Sequence, residues 1–148
     1  MATSQKALPR GIRNCNPGNI RFDAATEWWG LKGHDSEGFA VFNTAYWGIR
    51  ALAVDLTNAV VKDGCGTIRS LITHYAPPES NDTDAYIKAV CDEMGLKPDW
   101  PIDIQFVMYG LVSAVIMHEN GEVPYSSLTI AKALLPAYIV IDDHNSGL

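Results

Sequence analysis

The chain is poor in the features that mark metalloproteins, membrane proteins and secreted disulfide-rich proteins. Its 148 residues include only three cysteines and four histidines, and neither set shows the spacing of metal ligands. No apolar run reaches the roughly 18 residues that cross a bilayer, and the N-terminus lacks the apolar stretch of a signal peptide. We therefore expect reduced thiols, no metal, no cofactor, no membrane insertion, and synthesis in the cytoplasm without a signal peptide.

Positive charge is also scarce. The chain has 11 lysines and arginines against 17 acidic residues, a formal net charge of −6. An acidic protein is poorly suited to the phosphate backbone of nucleic acid, so we expect no nucleic-acid partner. The few cations are concentrated in the N-terminal half, which suits local contact with an acidic polymer: Lys6, Arg10, Arg13, Arg21, Lys32 and Arg50.

Composition and periodicity predict a single mainly α-helical domain of α+β type over residues 1–148, with a folded core at 9–135 and a tail at 136–148. The 47% hydrophobic and 19% charged content is typical of globular proteins. Residues 9–43 show no helical period, so they form a small β or loop lobe with strands expected over 19–22 and 39–42. Five helices follow from hydrophobic spacing and from capping residues. They begin after Thr44, Thr67, Thr83, Asp103 and Ser126 or Ser127, and the last ends at Leu135 before an edge strand at 138–141.

The long helix that begins at Asp103 ends on a carboxylate. Val115 and Ile116 precede Glu119 by four and three residues, so they give it an apolar flank. Asn120-Gly121 supplies a left-handed stop, which places Glu119 in the last turn. The helix dipole and apolar neighbours there both favour the neutral carboxyl, the form a general acid needs. Glu119 is therefore the candidate catalytic residue; the alternative is a solvated helix end.

Three other segments carry side chains suited to a glycan. Asparagines in residues 10–21 offer paired donors and acceptors for sugar hydroxyls, although turns also use asparagine. Aromatic residues between 28 and 47 either stack on sugar rings or fill the core. Polar residues after Pro77-Pro78 either cap the next helix or line a groove. His118 lies on the core side of its helix, which favours packing over catalysis. The groove candidates are Asn16, Asn19, Arg21, Trp29, Tyr46, Asn81, Thr83, Tyr86, His118 and Asn120.

Four blocks resemble a phage and prophage family described as virion structural or peptidoglycan-degrading proteins. They are RGIRNCNPGNIRF, WWGLKG followed by GFAVFNTAYWGIRAL, TIRSLITHYAPPESNDTDAYIKAV, and LVSAVIMHENGEVPYS. The resemblance covers roughly residues 9–130. Cys15 stands where the family usually has asparagine, and the region after Leu135 departs from the family pattern.

A looser resemblance is to lysozyme-like lytic transglycosylases. Those enzymes carry a glutamate at the end of an apolar helix, followed by an Asn-Pro-x-Asn-Ile block, a Trp-x-Gly and a Phe-x-x-Tyr helix. Here the same parts occur in rotated order, with residues 16–20 first and Glu119 near the end. The resemblance therefore implies a circularly permuted lysozyme-like fold, which nearby surface termini make possible.

The resemblance also implies cleavage of the β-1,4 bond between N-acetylmuramic acid and N-acetylglucosamine in peptidoglycan. Glu119 would be the acid, and Asn16, Asn19 and Tyr86 would line the groove. A transglycosylase needs one carboxylate, whereas a hydrolase needs a second, for which Asp35, Glu37 and Glu79 are candidates.

The implied protein is a monomer that acts on glycan strands in the periplasm. Either it is released at lysis or it is carried in the virion beside other virion proteins. The alternative is a non-catalytic virion structural or cell-wall-binding protein with the same fold, because a fold does not fix a function.

Overall fold

The computed structural model describes residues 7–146, which form six α-helices and one two-stranded antiparallel sheet. The mainly α-helical class with a small N-terminal β lobe is thereby confirmed. The elements are α1 (Arg10–Arg13), β1 (Leu31–His34), β2 (Ala40–Phe42), α2 (Ala45–Val61), α3 (Ile68–Tyr75), α4 (Thr83–Met94), α5 (Ile104–Asn120) and α6 (Ser127–Asn145). No helix within these residues is long and apolar enough to span a bilayer.

α2 is the central helix of the core. It packs against α3, α5, α6 and β2, and buried side chains occur around most of its circumference, as expected for a helix enclosed by neighbours. Its buried small residues, such as Ala51 and Ala53, allow close approach of these elements. Larger side chains fill the space between the helices, among them Leu52 and Leu56 from α2 and Leu111 from α5.

Gly48 of α2 is the point where the N-terminal segment lies directly on the core. A Cβ atom at this position would overlap the carbonyl oxygen of Cys15 and lie 2.8 Å from its carbonyl carbon. Only glycine permits this approach, so Gly48 fixes the path of residues 15–20 over α2. This path sets the position of Asn19, which is central to the site described below.

The N-terminal lobe differs from the sequence prediction in three ways. Helix α1 and strand β1 were not predicted, and residues 19–22 do not form a strand. Instead, the side-chain amide of Asn16 bonds the backbone of Ile20 in both directions and donates to the carbonyl of Ala40 at 2.9 Å. This side chain satisfies backbone groups that a strand partner would otherwise satisfy. The strand prediction at 39–42 is confirmed by β2.

The five predicted helices correspond to α2–α6. Thr44, Thr67, Asp103 and Ser126 are the N-cap residues as predicted. The prediction was wrong at Thr83, because the side chain of Asp82 accepts the capping hydrogen bond from the Ala85 amide.

The predicted tail after Leu135 was wrong. α6 continues through Pro136 to Asn145, so no strand forms at 138–141. A proline inside a helix removes one hydrogen bond and costs about 3 kcal/mol. Burial of Ala137 and Ile141, 0% and 4% exposed, offsets that cost. The core therefore extends past residue 135; residues 1–6 and 147–148 of the predicted domain lie outside the described part.

Candidate active site

A cleft of about 680 Å³ lies between the N-terminal lobe and the helices α2, α3 and α5. Its volume is in the range of cavities that hold small ligands. The lobe contributes Arg10, residues 18–21, Asp23, Thr26, Trp28 and Phe39 to the lining, and the helices and their loops contribute Asp55, residues 74–77, Ser80, Asn81 and Glu119.

Glu119 is the carboxylate at which three distant parts of the chain meet. The side-chain amide of Asn19 donates to its Oε1 at 2.8 Å, and the hydroxyl of Tyr86 donates to its Oε2 at 2.7 Å. Glu119 is half-buried in the last turn of α5, as predicted. Both oxygens are therefore held by donors, whereas the sequence indicated only apolar neighbours.

Tyr86 contributes a neutral hydroxyl. Its side chain is 2% exposed, and burial, reinforced by the negative charge of Glu119, raises its pKa far above the ordinary value. A phenol that does not ionise can donate or accept a hydrogen bond but cannot act as a base. Tyr86 is therefore suited to orienting Glu119.

Asn19 reaches Glu119 because its backbone adopts a left-handed conformation, with φ of 50°. Asparagine tolerates this region better than most side chains. The turn is fixed by a hydrogen bond from the Asn19 amide to the Asn16 carbonyl, and the hydroxyl of Tyr75 donates to the Gly18 carbonyl. The loop at residues 16–19, helix α3 and helix α5 therefore together position the side-chain amide of Asn19.

Three predicted groove residues belong to the framework instead. Asn16 is 0% exposed, and its side chain bonds only backbone groups. Thr83 is buried and donates to the Ala76 carbonyl at 2.6 Å. Asn120 is buried and donates to the Pro17 carbonyl at 2.8 Å. Their predicted contact with substrate is contradicted because these groups are enclosed by protein.

No family model matches the chain, whereas the comparison with known proteins finds a relative. Protein P5 of Pseudoalteromonas phage PM2 is 36% identical over 126 residues, which cover 83% of this chain and 78% of the relative. The chain belongs to the protein P5 family. The predicted membership in a phage protein family is thus confirmed. The name P5 states no activity, so chemistry has to be argued from the site.

Arg21 and Asn81 of this P5-family chain line the cleft as predicted, whereas His118 and Trp29 do not. His118 is exposed rather than packed in the core, and one face of its ring lies against the Tyr86 ring with centroids 3.8 Å apart. Trp29 is 67% exposed outside the lining, and Arg50 lies over its ring at 4.8 Å. Its neighbour Trp28 lines the cleft instead.

Tyr46 also lies outside the lining of the P5-family cleft. It is half-buried, and its ring meets the edge of Trp47 with centroids 4.9 Å apart. Neighbouring aromatic residues point in different directions here, so the sequence could not indicate which of them face the cleft.

The predicted second acids do not line the P5-family cleft. Asp35 accepts hydrogen bonds from the Phe39 amide and the Asn14 side chain, which lower its pKa and fix a turn. Glu37 pairs with Arg10 at 2.9 Å, and Glu79 is exposed outside the lining. Asp35 and Glu37 are therefore held by other partners, and Glu79 lies outside the cleft lining.

The sequence prediction missed two cleft acids, the exposed Asp23 of the N-terminal lobe and the more buried Asp55 of α2. Burial raises the pKa of the Asp55 carboxyl, opposed by the charge of His74. It lies in the cleft wall with Glu119. Burial, followed by the negative charges of Glu119 and Asp55, raises the pKa of Tyr75. The signal for Asp55 was an acid between Ala53 and Leu56 in an apolar helix, the same kind of signal that identified Glu119.

No metal site accompanies these acids in residues 7–146. No group of three or more His, Cys, Asp or Glu side chains there is arranged to hold a metal ion, and Cys15, Cys65 and Cys91 are free thiols.

Proposed function

We propose that this P5-family protein cleaves the β-1,4 bond between N-acetylmuramic acid and N-acetylglucosamine in peptidoglycan, as a lytic transglycosylase with Glu119 as its acid. The observation that supports this most is the position of Glu119 at the end of an apolar helix, in the wall of a large cleft and held by Asn19 and Tyr86. A carboxylate placed at the end of an apolar helix in a cleft is a candidate catalytic group. The fold is proposed to be a circularly permuted lysozyme-like fold.

The two donors to Glu119 differ in a way that suits proton transfer. The Asn19 amide nitrogen can only donate, so Oε1 remains an acceptor. The Tyr86 hydroxyl can donate or accept, so Oε2 can exist with or without a proton. The site therefore accommodates both protonation states of Glu119 without rearrangement of its neighbours.

The proposed reaction uses Glu119 twice. The neutral carboxyl gives its proton to the glycosidic oxygen as the bond from the muramyl C1 to that oxygen breaks. The resulting carboxylate, stabilised by Asn19 and Tyr86, then takes the proton of the muramyl 6-hydroxyl while that oxygen bonds C1. The products are a 1,6-anhydromuramyl end and a free N-acetylglucosamine end, and Glu119 is neutral again.

Hydrolysis by two carboxylates is the second candidate, and Asp55 favours it. Its carboxyl faces the same cleft, and burial rather than a salt bridge controls its ionisation. A second carboxylate can hold the water that attacks C1. Asp55→Asn tests this: it would abolish cleavage by a hydrolase and leave a transglycosylase with anhydromuramyl products.

The proposed place of action is the cell wall in the periplasm, reached either from the virion or on release at lysis. A non-catalytic virion or wall-binding protein remains the rival in another class. It predicts binding to sacculi by the wild-type protein without loss of glycan.

A zymogram on purified sacculi tests the proposal. Wild type and Glu122→Gln, an exposed glutamate three residues further along, should clear the gel. Glu119→Gln should lose about 10²- to 10⁴-fold of the activity, the usual contribution of general acid catalysis. Clearing by Glu119→Gln would remove Glu119 from the chemistry, and no clearing by wild type would support the wall-binding rival.

A further inference from the structure

Two arginines form a cationic end of the cleft. The guanidinium groups of Arg10 and Arg21 lie 4.2 Å and 4.1 Å from the centroid of the Phe39 ring, and all three residues line the cleft that contains Glu119. Stacking on an aromatic face orients a guanidinium and stabilises its charge. Such a pair is notable in a chain of net charge −6.

The two arginines differ in their partners. Arg10 forms an ion pair with the Glu37 carboxylate at 2.9 Å. Arg21 donates to the Glu37 backbone carbonyl at 3.0 Å, and no carboxylate in residues 7–146 lies close enough to form an ion pair with it. A guanidinium has five N–H donors, so Arg21 is a positioned cation with donors left for a ligand.

The remaining charges of the cleft restrict where an anion can bind. Asp23, Asp55 and Glu119 also line it, and their carboxylates disfavour a negative group nearby. The Phe39 end, with Arg21 uncompensated, is the place where an anion is favoured. The planar guanidinium fork matches the two oxygens of a carboxylate.

We propose that Arg21, assisted by Arg10, binds a carboxylate on the muramyl side of the substrate. The inference rests on the proposed function and adds selectivity for acidic muramyl glycans over neutral polymers of N-acetylglucosamine. The carboxylate has two possible sources: the lactyl group of a muramyl residue without peptide, or the peptide stem attached to it. Both present the same chemistry to the guanidinium.

The test is a binding measurement by isothermal titration calorimetry in the Glu119→Gln background, where cleavage does not interfere. Three ligands are compared: peptidoglycan fragments with peptide stems, the same strands stripped of peptide, and chito-oligosaccharides. Adding Arg21→Gln should weaken the binding of acidic glycans about 10- to 100-fold, which is the effect of losing a charge-assisted hydrogen bond. Binding of chito-oligosaccharides should not change.

Arg13→Gln is the matched control. Arg13 is an exposed arginine on α1 outside the cleft lining, where it donates to the Leu8 carbonyl. The protein with Arg13→Gln added should bind all three ligands with the affinity of the Glu119→Gln protein. Far-UV circular dichroism should show that Arg21→Gln is folded, and Arg21→Lys, which keeps the charge but loses the fork, should give an intermediate affinity for the acidic glycans.

Each outcome decides something. Loss for the intact fragments alone assigns the carboxylate to the peptide stem, and loss for the stripped strands alone assigns it to the lactyl group. Loss for both acidic ligands means that Arg21 binds either carboxylate. Equal loss for all three ligands, or no loss, overturns the inference. The proposed function is judged separately, by cleavage with wild-type protein: selective binding without cleavage would refute the function and keep this subsite. Absence of binding to any glycan would refute both.

Discussion

Replacement of Asn16 separates a framework asparagine from a substrate-binding one. The Asn16→Ala change removes three buried hydrogen bonds of 2.9–3.0 Å. They join the Asn16 side-chain amide to the amide and carbonyl of Ile20 and to the carbonyl of Ala40. A buried hydrogen bond contributes about 1 kcal/mol. Three such bonds give about 3 kcal/mol, and unsatisfied buried groups add to this. For a chain of this length each kcal/mol lowers Tm by about 2–4 °C, so we expect a fall of about 6–12 °C.

Urea denaturation followed by circular dichroism measures this free energy of unfolding. Asn81→Ala is the control, because Asn81 is an exposed cleft residue that donates to the Pro77 carbonyl. Its stability should change by less than about 0.5 kcal/mol. A stable Asn16→Ala protein that has lost glycan binding would refute the reasoning, since it would mean that Asn16 contacts substrate.

Three other changes test separate parts of the structure. Gly48→Ala should lower the free energy of unfolding by about 1–3 kcal/mol through overlap with the Cys15 carbonyl. Gly110→Ala, whose Cβ would make only ordinary van der Waals contact with the Met94 side chain, should be neutral or stabilising in the same urea titration. Tyr86→Phe should lower kcat for glycan cleavage about 10- to 100-fold by removing one donor to Glu119; unchanged kcat would contradict its role. Asp55→Asn should raise Tm near pH 7, because burial raises the pKa of Asp55 in the folded state and its ionisation therefore opposes folding. The gain in Tm should shrink as pH falls through that raised pKa and should vanish below the ordinary value near 3.8. A gain in Tm that does not depend on pH would contradict this.

Hydrophobic spacing and capping residues were sufficient to predict the helices. Thr67 accepts the capping bond from the Ser70 amide, and Gly121 adopts the left-handed conformation that ends α5. These signals act over a few residues, so they can be seen in the sequence. The same logic placed Glu119 in the last turn.

Contacts between distant segments could not be predicted in the same way. The sequence shows that Asn16, Asn19 and Asn120 are asparagines but not which of their amides face backbone and which face the cleft. α6 continues through Pro136 because Ala137 and Ile141 in its C-terminal half are buried in the core. This burial outweighs the local tendency of proline to end a helix. Asp55 was missed because its importance depends on sharing a cleft with Glu119.

The muramyl ends released from purified sacculi test the central claim most directly. Mass spectrometry distinguishes a 1,6-anhydromuramyl end from a reducing end, because the anhydro product is lighter by one water. Proton transfer by Glu119 alone predicts anhydromuramyl ends from the wild type and from Glu122→Gln, and about 10²- to 10⁴-fold fewer from Glu119→Gln in the same time. Reducing muramyl ends alone, or anhydromuramyl ends from Glu119→Gln at the wild-type rate, would contradict it.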